Sequence, residues 1–344
     1  MGSYKPVLCM VMLQCLYAGL TLFTKAALMR GMSPRVFMVY RQIVATILLV
    51  PVVCFSRWKK PNKISLGTKG FCLIFLNALI GITANHNAYF QGLKLSSSSI
   101  STAMINLMPA ITFAMASLVG LEKVNCGSIR GIAKIVGTVI CIGGAIVMAL
   151  VKGPTLLNSL HSSSSSTNAP QNLQLGCLFL FICCCCWSFW IIMQVPISTI
   201  CPDHSYSTLW MCFLAMIQST IFALSIDRTK SEAWLLNSPI EIGSCIYAGI
   251  VAALSFTLQT WCVSQKGPVF SAIFNPLSTV ITTIIATSFL HEELYIGSLI
   301  GGFAVIIGLY VVLWGKAKDL KEAKLQELKQ DNDEHQKSPV ELVV

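Results

Sequence analysis

The sequence predicts an all-α polytopic membrane protein, with ten transmembrane helices forming two inverted five-helix repeats. Three observations predict this fold: the apolar residues fall in ten long runs, charge is scarce and lies mostly between the runs, and the second half reproduces the first at a constant offset. Of 344 residues, 55% are hydrophobic and only 11% charged, with a mean hydropathy of +0.71. A soluble domain usually has about a quarter of its residues charged, so a soluble fold of this composition would leave almost nothing to face water. A helix needs roughly 20 apolar residues to cross hydrocarbon, because it rises about 1.5 Å per residue through about 30 Å. Ten segments qualify, at about 7–29, 36–56, 70–93, 99–119, 129–150, 174–197, 207–225, 241–263, 269–290 and 296–315.

The first run is too long for a secretory signal, and no small-residue cleavage pattern closes it before Lys25 and Arg30. The start Met-Gly-Ser-Tyr-Lys-Pro lacks the Ser or Thr that myristoylation wants at position 6. The formal charge of +10 invites a nucleic-acid reading, but its distribution argues against one. With the N-terminus inside, inner segments hold 16 basic residues and outer segments 6, while Lys25 and Arg41 lie within spans. This bias follows the positive-inside rule and places both termini in the cytoplasm. The 15 cysteines lie mostly within the spans and lack zinc spacing. The run Cys183–Cys186 turns its thiols around a whole helix, so they read as small packing residues. No metal, cofactor or catalytic residue is expected.

A shift of 170 residues lays the second half on the first. Glu122 then falls on Glu292, Gly127 on Gly297, Gly131 on Gly301, Ser101 on Ser271, Tyr17 on Trp187, Asn85 on Ser255 and Tyr89 on Gln259. Pro109 and Pro276 do not align at this offset, so the match loosens in spans four and nine. Five spans per half is an odd number, so the halves sit inverted, as in transporters that expose one midplane site to either side in turn. The divisions follow: a first repeat at 5–151, a Ser-rich linker at 152–173 with Ser162–Ser166 in a row, a second repeat at 174–316, and a charged cytoplasmic tail at 317–344.

The stretch GMSPRVFMVYRQIVATILLVP (Gly31–Pro51) resembles the plant Walls-Are-Thin-related proteins, also called nodulin-like or UMAMIT transporters, of the EamA-type drug/metabolite transporter superfamily. So do NAYFQGLKLSSSSISTAMINLMPAITF (Asn87–Phe113), LQTWCVSQKGPVFSAIFNPLS (Leu258–Ser278) and LYIGSLIGGFAVIIGLYVVLWGK (Leu294–Lys316). The resemblance covers roughly residues 5–318 and implies two inverted five-helix EamA-type repeats. It also implies solutes such as amino acids, auxin or related metabolites, often moved in both directions, and the plasma membrane with the vacuolar membrane as alternative. The pattern departs at His291-Glu292-Glu293, where a Gly-Glu or Gly-Asp pair is expected.

Polar side chains are costly inside a bilayer and usually face a cavity or another helix. Gln14, Thr21 and Lys25 form one stripe of span one, with Tyr17 beside it. In span three Asn77, Gly81, Asn85 and Tyr89 recur every four residues, and Ser255 and Gln259 are spaced likewise in span eight. Asn106 and Asn275 lie near Pro109 and Pro276, where a missing backbone donor can free carbonyls for a solute. The candidate solute-binding set is therefore Gln14, Tyr17, Thr21, Lys25, Asn85, Tyr89, Asn106, Ser255, Gln259 and Asn275. Interhelical hydrogen bonding is the alternative for each. Trp187, Trp190 and Trp261 wall the cavity or pack. Lys25 offers a charge to a carboxylate or else snorkels, and Arg41 reads as structural. His86 is the one intramembrane group poised to be proton-sensitive, with packing as the alternative. Gly127, Gly131, Gly297 and Gly301 read as helix-packing glycines.

The expected function is transport of a small polar metabolite by alternating access, with a bidirectional facilitator favoured because no Asp or Glu lies deep in a span. The alternatives are a proton-coupled exporter of other metabolites or a membrane-embedded enzyme, for which the five scattered histidines offer no cluster. The expected partners are the solute and the bilayer, without nucleic acid. Substrate, direction, coupling ion, choice of membrane and oligomeric state are not written in the sequence.

Overall fold

A computed structural model describes residues 4–59, 66–95, 101, 104–121, 129–150, 173–226, 234–236, 238–290, 297, 300–312 and 314–315. Among these residues there is no strand. The serine-rich linker, the charged tail, Glu122, Gly127 and the His291-Glu292-Glu293 departure lie outside them.

The helices follow the apolar runs. α1 spans Lys5–Met29 and α2 Pro34–Lys59, joined by a tight turn at Gly31, whose φ of +91° suits glycine. Span three is α3 (Gly67–Ala78), a π-helical turn at Leu79–Ala84, and α4 (Asn85–Leu95). α5 (Met108–Leu118) and α6 (Ile129–Leu150) complete the first half. The second half has α7 (Leu173–Ile200), α8 (His204–Ile226), α9 (Pro239–Lys266), α10 (Pro268–Ile273), α11 (Asn275–Leu290) and α12 (Ile300–Val312). Among the described residues seven spans are long and apolar enough to cross a membrane, and the shorter apolar helices Met108–Leu118, Gly131–Gly144 and Ile300–Val312 stand at the other three span positions.

Local chemistry sets the helix starts. The Ser238 side chain and Glu241 cap α9 reciprocally, satisfying donors that a helix start leaves open. Asp203 accepts from the backbone N–H groups of Ser205 and Tyr206 at the start of α8. The ninth run, predicted as one helix over 269–290, is broken at Phe274, and the fourth turns at 106–107 before α5. Pro276 and Pro109 sit in the first turns after these breaks, where a missing N–H costs nothing. The two prolines, out of register in sequence, therefore do the same job in both halves.

The main contacts between the halves come in exchanged pairs. α1 packs on α9 and α11, and in the same way α7 packs on α3–α4 and α5. α2 meets α8 and α9, while α8 meets α2 and α3, and α5 meets α10. Outward faces carry Ile47, Val50, Ile217, Ile221, Ile246 and Ile250, all exposed, as a lipid-facing surface requires. Within the bundle, small residues let backbones approach. Gly81 lies on Trp190, where an added Cβ would come within 2.5 Å of the indole side chain. α6 and α12 touch backbone to backbone: a Cβ on Gly308 would meet Cys141 N at 2.6 Å and Gly137 O at 2.7 Å, and one on Gly144 would meet Gly301 O at 2.8 Å. Gly131, Gly297 and Gly301 are buried, and Gly301 supplies the carbonyl that Gly144 approaches.

Gly308→Ala therefore should destabilise the detergent-purified protein by about 1–3 kcal/mol, the usual cost of overpacking. Gly302→Ala, whose Cβ meets nothing closer than 3.7 Å, should leave the midpoint unchanged in a fluorescence-detected thermal melt. Equal midpoints for the two variants would contradict this account of the seam.

Candidate functional site

A cavity of about 640 Å³ opens between the two halves. Its walls begin in mid-bundle at Gln14, Arg41, Asn85 and Trp187 and reach the end of α1 at Lys25 and Met29. Met29 is 79% exposed, so this end is the mouth. The other end is closed by Met10, Leu13, Phe270 and Phe274, all buried in one apolar cluster. Above that plug, Tyr17 donates to Gln259 Oε1 at 3.1 Å, and Gln259 Nε2 donates to Ser271 Oγ at 3.0 Å. These bonds tie α1, α9 and α10 together beneath the cavity floor.

α1 supplies Gln14, Tyr17, Thr21 and Lys25 to the wall, as their helical spacing predicts. Gln14 is buried and its Nε2 has no partner; Thr21 Oγ1 donates to Tyr17 O at 3.0 Å. From α4 come Asn85, His86 and Tyr89, and from the second half Cys183, Trp187, Asn275 and Ser278. Asn85 Nδ2 donates to Cys183 O at 2.8 Å, joining the halves.

The span-three stripe expected from the sequence does not continue through the helix. Asn77 is wholly buried against Met211 Sδ at 3.7 Å, outside the cavity wall, and Gly81 faces Trp190. The physical reason is the π-helical turn at 79–84, which holds more residues per turn than an α-helix and so breaks the four-residue register. Below the turn Asn77 faces another helix; above it Asn85, His86 and Tyr89 line the cavity.

Asn106, Ser255 and Gln259 also stand off the wall. Asn106 Oδ1 accepts from Thr279 at 3.2 Å, Ser255 Oγ donates to Ala252 O at 3.4 Å, and Gln259 belongs to the floor network. Asn275 reaches the cavity while its Nδ2 donates to Met108 Sδ at 3.1 Å. Of the three tryptophans considered, Trp187 lines the cavity, Trp190 is fully buried and stacks on Trp187 at 5.0 Å, and Trp261 packs on the apolar plug.

Sequence reasoning missed Arg41. It is 5% exposed and lines the cavity, neither snorkelling to an interface nor remote from the site. Nη1 donates to His86 Nε2 at 2.9 Å and lies 3.8 Å from Met38 Sδ, and the guanidinium carbon stands 5.7 Å from the Phe256 ring centroid, in cation–π range. His86 Nδ1 lies 2.7 Å from Ile82 O, a carbonyl that only accepts. The imidazole therefore carries its proton on Nδ1 and presents a lone pair from Nε2 to Arg41. The signal that was available is the depth of this cation within an apolar span. Phe37, Phe90 and Met38 complete the wall around it.

The arrangement can bind and enclose a small molecule at the seam. Among the described residues His86 is the one histidine on the wall, and both of its ring nitrogens are engaged.

A model of the EamA-like transporter family matches residues 5–150 and again residues 174–314. A WAT1-related protein of Arabidopsis thaliana is 48% identical over 342 residues, covering 99% of this chain and 94% of the relative. Protein WALLS ARE THIN 1 of the same plant is 40% identical over 348 residues, covering 96% and 89%. One solved crystal structure superposes with a TM-score of 0.65 over 90% of this chain and 97% of the other, at 15% identity, and speaks for the fold alone. With two family matches that meet across the cavity and near full-length relatives, the chain belongs to the EamA-like transporter family, among its WAT1-related members, as a multi-pass membrane protein.

Proposed function

We propose that this protein carries a small polar metabolite, such as an amino acid or an auxin-like organic acid, across its membrane by alternating access. The observation that carries the reading is the seam cavity, which has polar groups from both halves, one open mouth and a plugged opposite end. Inverted repeats allow the plug and the mouth to exchange roles while the site stays fixed. With the positive-inside orientation both termini are cytoplasmic, and the mouth beside Lys25 faces away from the cytoplasm. The plasma membrane is the proposed location. Gradient-driven movement in either direction is favoured over proton coupling, because every Asp and Glu lies outside the middle of the spans. The solute leaves chemically unchanged, consistent with the engaged nitrogens of His86.

Uptake and efflux of labelled amino acids, indole-3-acetate and neutral metabolites in proteoliposomes test this directly. At least one solute should equilibrate in both directions at matched pH, and a stepped pH should not drive its accumulation. Movement of none would sink the carrier reading; accumulation against a gradient would replace the facilitator with a proton-coupled carrier. Single substitutions Lys25→Gln, Asn85→Ala and Tyr89→Phe should each lower flux, and unchanged flux in all three would remove the cavity from the route.

The floor network makes a second prediction. Gln259→Leu deletes both bonds that tie α1 to α10 through α9. At about 0.5–1.5 kcal/mol per bond, the balance should shift roughly 5- to 150-fold away from the state with this end closed. Lys25→Cys at the mouth should then react more slowly with an impermeant maleimide, read as the excess over protein without that cysteine. An unchanged rate would show that the network does not hold the closed end.

A further inference from the structure

We propose that Arg41 is the anchor of the cavity for a carboxylate group of the solute, and that His86 is the residue that positions it. The proposal deepens the carrier reading and rests on it for the word solute.

A buried guanidinium is costly without a counter-charge, so its partners decide its role. The acidic residues among the described residues, Asp203 and Glu241, cap α8 and α9 and do not line the cavity. Arg41 instead meets an imidazole lone pair, a thioether sulfur and the Phe256 ring. These contacts orient a cation without neutralising it. The buried N–H groups around the cavity give an independent sign. Arg41 Nε, Gln14 Nε2 and Trp187 Nε1 are all buried, all on residues that line the cavity, and none has a hydrogen-bond partner. All three are donors. A ligand with two acceptor oxygens and one negative charge supplies what this set lacks, and planar bidentate recognition of a carboxylate is what a guanidinium does best.

Geometry fixes the division of labour between the two cations. Lys25 stands at the exposed mouth, whereas Arg41 stands at mid-bundle. His86 holds Arg41 from the first half, and Phe256, 170 residues further along the chain, lies under it from the second. The residue equivalent to Arg41 is Met211, whose sulfur accepts from Trp190 Nε1 at 3.1 Å. Of these two equivalent positions, only the one in the first half thus holds a cation. Among the described residues no carboxylate lines the cavity to receive an ammonium group, so the carboxylate is the required feature of the ligand and an amino group is dispensable.

Four matched probes separate these features: 3-phenylpropionate (carboxylate alone), phenylalanine (carboxylate and ammonium), 2-phenylethylamine (ammonium alone) and 3-phenylpropanamide (neither). Binding to the full-length detergent-purified protein is read from tryptophan fluorescence, because Trp187 is on the wall. The two carboxylates should bind roughly tenfold or more tightly than the amine and the amide, the usual worth of a hydrogen bond to a charged group. Arg41→Gln should bring the ratio of 3-phenylpropionate to 3-phenylpropanamide near one. Should that variant not fold, Arg41→Met installs the side chain that the second half already holds at the equivalent position, and should do the same. His86→Leu should lower the ratio and His86→Gln, whose amide oxygen accepts from the guanidinium, should restore it. Equal binding of carboxylate and amide by the unmodified protein, an unchanged ratio in a folded Arg41→Gln or Arg41→Met protein, or binding of none of the four would overturn the assignment. Selectivity that vanishes with Arg41 in a protein that moves no solute in liposomes would keep the anchor and remove the carrier reading; solute movement with carboxylate and amide bound alike would do the reverse.

Discussion

Hydrocarbon offers no hydrogen-bond partner, and that constraint organises this molecule. Each polar group in a span has to find a protein partner or open onto a watery space. Hydroxyls on the lipid-facing helices commonly take the local solution, donating to a carbonyl one turn back, as Thr46 does to Gln42 O and Thr257 to Ala253 O, both at 2.8 Å. Amides reach across helices, as Asn85 does to Cys183 O. Three buried N–H groups without a partner, on Gln14, Arg41 and Trp187, belong to residues of the cavity wall where the halves meet.

The same backbone plan serves two different chemistries. Both halves break their fourth span, both set a proline just after the break, and their asparagines cross to the opposite half, Asn106 accepting from Thr279 and Asn275 donating to Met108. Yet equivalent positions hold unlike side chains: Arg41 against Met211, His86 against Phe256, Tyr17 against Trp187. Because the halves point oppositely, equivalent positions approach the seam from its two sides. The repeat supplies a scaffold that can rock, and the substitutions within it give the site a polarity that a perfect duplicate would lack.

The two ends of the cavity differ in kind. The mouth is an absence of packing beside Met29, whereas the closed end combines an apolar plug with the Tyr17–Gln259–Ser271 chain of hydrogen bonds. Gln259 belongs to that chain and not to the wall. A polar residue in a span can thus serve transport by holding a gate instead of touching the solute.

The sequence by itself determined the membrane class, the span positions and the duplicated plan, because these follow from composition and from periods along one chain. It also located the α1 stripe of Gln14, Tyr17, Thr21 and Lys25, since a straight helix preserves its register. For Asn77, Asn106, Ser255 and Gln259 it left open whether they face a cavity or bond between helices, and it set Arg41 aside as structural. Those positions turn on a π-helical turn, on two helix breaks and on which neighbour a side chain meets. Only the tertiary structure decided them. Helical spacing says which residues share a face, but what stands opposite that face is a contact between segments far apart in the chain.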